Sequence, residues 1–470
     1  MSAKDGVMQK WLLAALDYVP RWIEFQMRQT ETPGCVVAVA AKGDIVLEQA
    51  FGVADLSTAA PLTPRHRFRV ASHSKSFTAA AIMKLREEGR LELDDPAGRF
   101  VDGLHPTVAE VTLAQLLSHS AGLIRDGTDA GQWQDRRPFL GEDELRTALA
   151  EAPTLPPNSR FKYSNHGFGL AGLVIEAIAG EPYRDWVKRE IVAAAGLNET
   201  EPDMPIAAGA PMARGHGAKL PLGRRLVIPG DNPTHALAAA TGFVSTAADL
   251  ARFFSQLDPD AKHSILSVAS RREMTRRQWR DAYSSVERHY GLGIMCGKTA
   301  DLEWFGHGGA FQGFISRTVV VPEHGLTLSI VTNTVERLAE QWSDGALHII
   351  SAFARRGAPE KRLRSWNGRW WNLWNALDIV PVGDRVLFLT PSSLNPLTDA
   401  SEVEVTGADT GQIALAPGFG NHGEPVRRSR GADGEVEEVW LGGTRLLPEA
   451  KMAAELKARY GKPAAARARR

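Results

Sequence analysis

Strand patterns at 35–47 and 316–332 constrain the fold of this chain more than any other feature. Cys35-Val36-Val37-Ala38-Val39-Ala40, then Lys42-Gly43-Asp44, then Ile45-Val46-Leu47 read as an apolar β-hairpin with a glycine turn. Far downstream, Ser316–Val321 and Leu326–Thr332 are a second pair of strand runs, joined across Pro322-Glu323-His324-Gly325. Helical patterns lie between the pairs: a run after Ser72, then Thr112–Leu117, Gly167–Ala179, and Ala247–Leu257 behind the cap Ser245-Thr246. Strands that return after a helical middle predict one sheet built from both ends of a domain, an α+β arrangement.

The character changes after the basic stretch Arg355–Arg364, read as a solvated linker. Four of the twelve tryptophans fall in Trp366–Trp374, where they predict a core or a domain seam rather than a ligand site. Short runs such as Val386–Leu389 and Val436–Trp440 between glycine and proline turns predict a small all-β barrel or sandwich. The expected division is therefore 1–355, 356–448, and a helix over Glu449–Tyr460 with a basic tail in 449–470.

Composition narrows the function. Lys+Arg and Asp+Glu are balanced at 55 each, which gives no electrostatic case for nucleic acid or for an acidic membrane surface. The two cysteines, Cys35 and Cys296, each sit in an apolar stretch and read as buried thiols. No Cys/His cluster suggests a metal, and no cofactor is implied. The N-terminal run Trp11–Leu16 is interrupted by Asp17 and Arg21, so it predicts a short amphipathic helix rather than a signal peptide or a membrane span. A cytoplasmic location is the expectation.

Chemistry enters at Ser72-His73-Ser74-Lys75. On a helix, a serine and a lysine three residues apart share one face. A lysine held without its proton can deprotonate the serine and make it a nucleophile, and the start of a helix favours the negative charge that develops. Phe77, Ala81, Ile82 and Leu85 recur at helical spacing, and Gly89 offers a C-cap. The same spacing recurs at Ser159-Arg160-Phe161-Lys162, behind the turn Pro156-Pro157-Asn158. On an extended segment, that spacing puts the two side chains on opposite faces, so the second copy reads as coincidence. Ser72 taken alone could equally be an N-cap serine.

Two further segments supply what such a pair needs. In Tyr163-Ser164-Asn165, the phenol, drawn toward phenolate by a neighbouring cation, can relay protons. The asparagine can hydrogen-bond both Lys75 and a substrate carbonyl. Trp304-Phe305-Gly306-His307-Gly308-Gly309-Ala310-Phe311 brings a glycine-flanked histidine just ahead of Ser316–Val321, where glycines admit a substrate close to the backbone.

In this order, Ser-x-x-Lys, Tyr-x-Asn and His-Gly-Gly resemble the serine β-lactamase and penicillin-binding-protein superfamily. The likeness is to the branch holding class C β-lactamases, D-aminopeptidases and related esterases. Leu116–Leu123, Thr241–Ala247 and Tyr290–Gly293 match that branch as well, and the resemblance spans about residues 30 to 350. It implies a β-lactamase/transpeptidase-like domain with an antiparallel sheet, flanking helices and a helical subdomain. It also implies roles: Ser72 the acylated nucleophile, Lys75 its base, Tyr163 the second proton carrier and Asn165 a positioning donor. The backbone N–H groups of Ser72 and Ala310 would form the oxyanion hole, with Gly308 and Gly309 binding or positioning the substrate. His119 and Ser120 are read as structural.

His307 stands where the superfamily commonly has the lysine of Lys-Thr-Gly, and Gly308 has no side chain. A mostly neutral imidazole recognises a free substrate carboxylate less well than a fixed cation. This departure, with the expected cytoplasmic location, favours a small ester, amide or short-peptide substrate, as in D-aminopeptidases and esterases. β-Lactamase or DD-peptidase activity, acyl transfer and a catalytically inactive binding or sensor protein are the alternatives. A small molecule or short peptide is the expected partner, and a homodimer through the β-domain stays open.

Overall fold

The computed structural model describes residues 9–282, 287–418 and 420–461. By its internal contacts the chain falls into two compact units, Glu31–Ser343 and a second made of Met1–Thr30 with Asp344–Arg470. The basic tail, Arg467–Arg470, lies outside the described residues.

The first unit is built on a nine-stranded antiparallel sheet. Its strands run, in spatial order, 60–61, 44–55, 34–41, 326–332, 314–321, 302–311, 295–299, 288–290 and 279–280. The two ends of the unit meet in the middle of this sheet, where Cys35 faces Thr332 and Ala41 faces Leu326. Strands Gly34–Ala41, Phe314–Val321 and Leu326–Thr332 are almost wholly buried, which is why 35–41 reads as a continuous apolar run. The other two carry buried polar residues, Ser316, Arg317 and Thr318 in one and Thr327, Ser329 and Thr332 in the other. The helices begin where their caps predict. Thr112 and Gln115 form a capping box before Leu113–Leu117, and the Thr246 side chain accepts from Asp249 N–H before Ala247–Gln256.

The helix after the candidate nucleophile, Ser74–Glu87, is buried on every side from Ser74 through Met83 rather than along one stripe. Small residues at Ala79, Ala80 and Ala81 let neighbouring backbone come close. The Phe77 ring is stacked between Phe243, with centroids 4.2 Å apart, and Phe253, at 3.8 Å. Gly89, at φ +70°, ends the helix in the left-handed conformation that glycine adopts without penalty.

The second unit carries eight antiparallel strands in chain order from Gly368–Trp371 to Thr444–Leu446. Trp371 and Leu447 exchange both backbone hydrogen bonds, at 2.7 and 2.8 Å, joining the first strand to the end of the last. This up-and-down closure decides for a barrel over a sandwich. Trp366 fills the barrel core with Leu363, Ile379 and Val386, whereas Trp374 points into solvent.

The units divide elsewhere than at residue 355. The N-terminal helix runs over Lys10–Thr30, well beyond Trp11–Leu16, and joins the barrel's unit. Its buried Trp22, Ile23, Phe25 and Met27 continue the apolar face past Arg21. Tyr18 donates to Asp378 at 3.0 Å, and the fully buried Asp378 carboxylate also accepts from Arg369 at 2.6 and 2.9 Å. Both cysteines are buried free thiols; burial raises both, Cys296 to about 12.

Candidate active site

Ser72 lies in a short 3-10 turn, Ala71–His73, directly before the helix Ser74–Glu87. Ala71 is left-handed at φ +46°, a conformation that costs a non-glycine residue energy and persists only where its surroundings enforce it. The surroundings here are specific. Ser74 Oγ donates to Ala71 O at 2.5 Å and accepts from Phe243 N–H at 3.0 Å. His73 Nδ1 lies 3.0 Å from Val70 O, and its Nε2 lies 3.0 Å from the Thr318 hydroxyl. An Nδ1–H donating to Val70 leaves Nε2 to accept from Thr318. Burial pushes the His73 pKa down to about 3, so this brace is neutral. Ser72 itself is half-buried.

Lys75 is fully buried, and three acceptors surround its amine: Asn165 Oδ1 at 2.7 Å, Ala240 O at 2.8 Å and Ser72 Oγ at 3.3 Å. The two short contacts are to carbonyl oxygens, which only accept. They take two N–H groups, and a neutral amine then presents its lone pair along the third direction, toward Ser72. Burial holds the Lys75 pKa well below the ordinary lysine value, Arg125 adds to the effect, and the Asp126 carboxylate opposes it.

Tyr163 completes the triangle by donating from its hydroxyl to Ser72 Oγ at 2.8 Å. The next two residues fix its position. Ser164 caps the helix Asn165–Ala179, its Oγ accepting from Gly167 N–H at 2.9 Å and donating to Ile124 O at 2.6 Å. Asn165 is the first helical residue. His119, left-handed at φ +59°, accepts Ser164 N–H on Nδ1 at 3.1 Å and packs its ring 4.1 Å from that of Tyr163. One expectation is corrected here. The phenol is not drawn toward phenolate: although Lys75 sits over the ring at 4.7 Å from its centroid, desolvation outweighs the hydrogen bond to Ser72 and the Arg125 charge. The Tyr163 pKa is raised.

His307, Gly308, Gly309 and Ala310 belong to the strand Leu302–Phe311. His307 is buried, with Nδ1 2.7 Å from Gly308 O and Nε2 2.9 Å from the Tyr290 hydroxyl. Burial holds its pKa well below 6.5, and nearby His73 and Lys75 push the same way. It therefore offers a neutral imidazole. The two-residue turn Gln312-Gly313 makes Phe311 and Phe314 the closing pair of the hairpin, which leaves Ala310 opposite Ile315. Pairs alternate along an antiparallel ladder, so Ala310 N–H faces away from the partner strand.

The structure thus brings Ser72, Lys75, Tyr163 and Asn165 into direct contact and places the His307–Ala310 strand against the start of the Ser72 turn through Gly309. The second serine–lysine pair is not part of this cluster. Ser159 is exposed and donates to Pro156 O at 2.6 Å. Three participants escaped the sequence analysis: the Ala240 carbonyl, Asp126 behind Asn165, and Tyr290 behind His307. Only Tyr290 carried a signal, as part of Tyr290–Gly293. Among the described residues, no group of three or more His, Cys, Asp or Glu side chains is placed to hold a metal ion, and no helix is long and apolar enough to cross a membrane.

A model of the Beta-lactamase family matches residues 19–349. The chain belongs to the Beta-lactamase family. Penicillin-binding protein 4* of Bacillus subtilis (strain 168) is 34% identical over 167 residues, a match covering 35% of this chain and 37% of that relative's length. The octameric penicillin-binding protein homologue from Pyrococcus abyssi superposes with a TM-score of 0.64 at 23% identity, covering 92% of this chain and 100% of that one. A D-stereospecific amidohydrolase from Streptomyces sp. superposes with a TM-score of 0.57 at 27% identity, over 68% of this chain and 94% of that one. Family membership gives this chain the β-lactamase/transpeptidase-like fold of the serine β-lactamase and penicillin-binding-protein superfamily.

Proposed function

We propose that this chain hydrolyses a small ester, amide or short peptide of the D-aminopeptidase and esterase kind through an acyl intermediate on Ser72. The observation that carries the reading is the position of Ser72 Oγ, 2.8 Å from the Tyr163 hydroxyl and 3.3 Å from a buried Lys75 amine. Lys75 takes the hydroxyl proton as Ser72 Oγ bonds to the substrate carbonyl carbon. The N–H groups of Ser72 and Ala310 receive the oxyanion, each such donor being worth about 3 kcal/mol. As the bond to the leaving group breaks, Tyr163 gives that group its proton, and Lys75 restores the phenol. Water then attacks the acyl carbon, passes a proton to the same pair, and releases the acid with Ser72 regenerated.

His307 and Gly308 shape the substrate side. A neutral imidazole hydrogen-bonded to Tyr290, followed by a residue with no side chain, provides no fixed cation for a free carboxylate. That favours neutral acyl groups and amines over β-lactams. The likeness to an amidohydrolase named for D-stereospecificity agrees with this choice.

The test is turnover and intact mass with an activated acyl ester, a D-amino-acid amide and a chromogenic cephalosporin. Ester or amide turnover with a transient adduct on Ser72 is expected. Silence with all three substrates and no adduct would sink the hydrolase reading for this site, and fast cephalosporin cleavage would overturn the argument from His307.

A further inference from the structure

We propose that Asp126 is a positioning residue for this site: its carboxylate dictates which end of the Asn165 amide faces Lys75. The inference rests on the reading of Ser72 and Lys75 as nucleophile and base. A side-chain amide has one accepting end and one donating end, and its neighbours decide how it is turned. Asn165 sits between two groups with opposite demands. Its Nδ2 is 2.5 Å from Asp126 Oδ1, and its Oδ1 is 2.7 Å from Lys75 Nζ. An ionised carboxylate only accepts, so it can take only the NH2 end, and the oxygen is left for the lysine.

The reverse orientation would set the amide oxygen against the carboxylate and an N–H donor against the Lys75 amine. The lysine would then lose one of its two carbonyl acceptors and turn its lone pair away from Ser72. Asp126 is itself held firmly. Its Oδ1 also accepts from Trp133 Nε1 at 2.9 Å, its Oδ2 accepts from Arg125 Nε at 2.9 Å, and the residue is 8% exposed. It makes no hydrogen bond to Ser72 or to the substrate strand: its contact with the site runs through Asn165, while its charge also reaches Lys75 and works against the effect of burial there.

Asp126 carries a charge as well as a pair of acceptors, and two substitutions separate the two. Asp126→Ala removes the acceptors. Asp126→Asn keeps an oxygen for Asn165 and Trp133; its NH2 replaces the oxygen that accepts from Arg125, whose exposed guanidinium turns to water instead. Steady-state kinetics on the activated ester should show Asp126→Ala lowering kcat by about 10- to 100-fold, the size expected when a charge-assisted hydrogen bond is lost, with KM nearly unchanged. Asp126→Asn should recover most of that loss. In an Asn165→Ala background, Asp126→Ala should add less than about 2-fold, because the two act as one unit.

A second measurement keeps the inference testable apart from turnover. With 15N-asparagine labelling, the Asn165 side-chain amide should be protected from hydrogen exchange in the wild type and in Asp126→Asn, and should lose that protection in Asp126→Ala. Multiplicative losses in the double variant, equal losses in Asp126→Ala and Asp126→Asn, or unchanged exchange in Asp126→Ala would each overturn the proposal. A wild-type protein that turns over none of the substrates fails the hydrolase reading alone, and the exchange measurement still decides Asp126.

Discussion

Gly309 lies directly against Val70: a methyl group at Gly309 would stand 2.0 Å from the Val70 carbonyl oxygen and 2.7 Å from Ser316 Oγ. Val70 leads into the Ser72 turn, so this glycine sets how closely the substrate strand approaches the nucleophile. Both obstacles are fixed, one backbone and one buried side chain, and relief requires the strand to move. Gly309→Ala should therefore lower kcat/KM by at least about 100-fold and destabilise the protein by about 1–3 kcal/mol, the usual range for overpacking. Gly308→Ala meets only ordinary contacts of 3.5 Å and should shift Tm by less than about 2 °C. Steady-state kinetics and thermal unfolding check both, and an active, stable Gly309→Ala would refute the tight-approach argument.

The two serine–lysine pairs should separate cleanly under mutation. Ser72→Ala removes the oxygen that Lys75 and Tyr163 share and should abolish turnover and adduct formation. Ser159→Ala loses one exposed hydrogen bond to Pro156 O and should stay within about 2-fold of wild type. Equal losses would mean that the wrong pair was chosen.

The sheet was legible because burial on both faces writes a continuous apolar run into Cys35–Ala40, and because Leu326, Leu328, Ile330 and Val331 mark its neighbour despite the buried Thr327 and Ser329 between them. The helix starts at Thr112 and Thr246 were legible because capping is local chemistry. The His307 strand was not, since Gly306, Gly308 and Gly309 carry no strand preference. Their place is set by tertiary packing, Gly306 against Thr318 O and Gly309 against Val70 O. The Ala240 carbonyl has no side-chain signature. Asp126 meets Asn165 across 39 residues of chain, with nothing local to mark it. The Tyr163 phenol was illegible for a different reason: a nearby cation can be anticipated from sequence, but the desolvation that outweighs Arg125 and the Ser72 hydrogen bond depends on how the surrounding chain closes over the ring.

Buried histidines should make the fold acid-sensitive. His73, His119, His166, His216 and His307 are all depressed, by burial first, with His73 at about 3. Unfolded histidines titrate near 6.5. Below that pH the unfolded chain binds protons that the folded chain refuses, so the contribution is complete above about pH 6.5 and is lost as pH falls toward the folded values. Asp203 and Glu199, raised by burial, act in the opposite direction, mostly at lower pH. Each strongly depressed histidine adds up to about 1.4 kcal/mol per pH unit. Urea midpoints should therefore drop steeply between pH 6.5 and 5, and a flat profile there would contradict the neutral assignment.

Lys75 gives the sharpest test of the chemistry, because the base is its neutral form. An unperturbed lysine would be only about 0.1% neutral at pH 7.5. Burial depresses Lys75 well below its ordinary value, which moves the acid limb of kcat/KM down by the same amount. Activity should rise with pH through that depressed pKa and reach its plateau far short of pH 10.5. Lys75→Arg installs a guanidinium that keeps its proton at every accessible pH, and it should cost about 10²- to 10⁴-fold, the range for losing a positioned base. Raising the pH should not restore it. A wild-type plateau reached only near pH 10.5, or a Lys75→Arg variant with appreciable turnover, would show that Ser72 is activated by some other group.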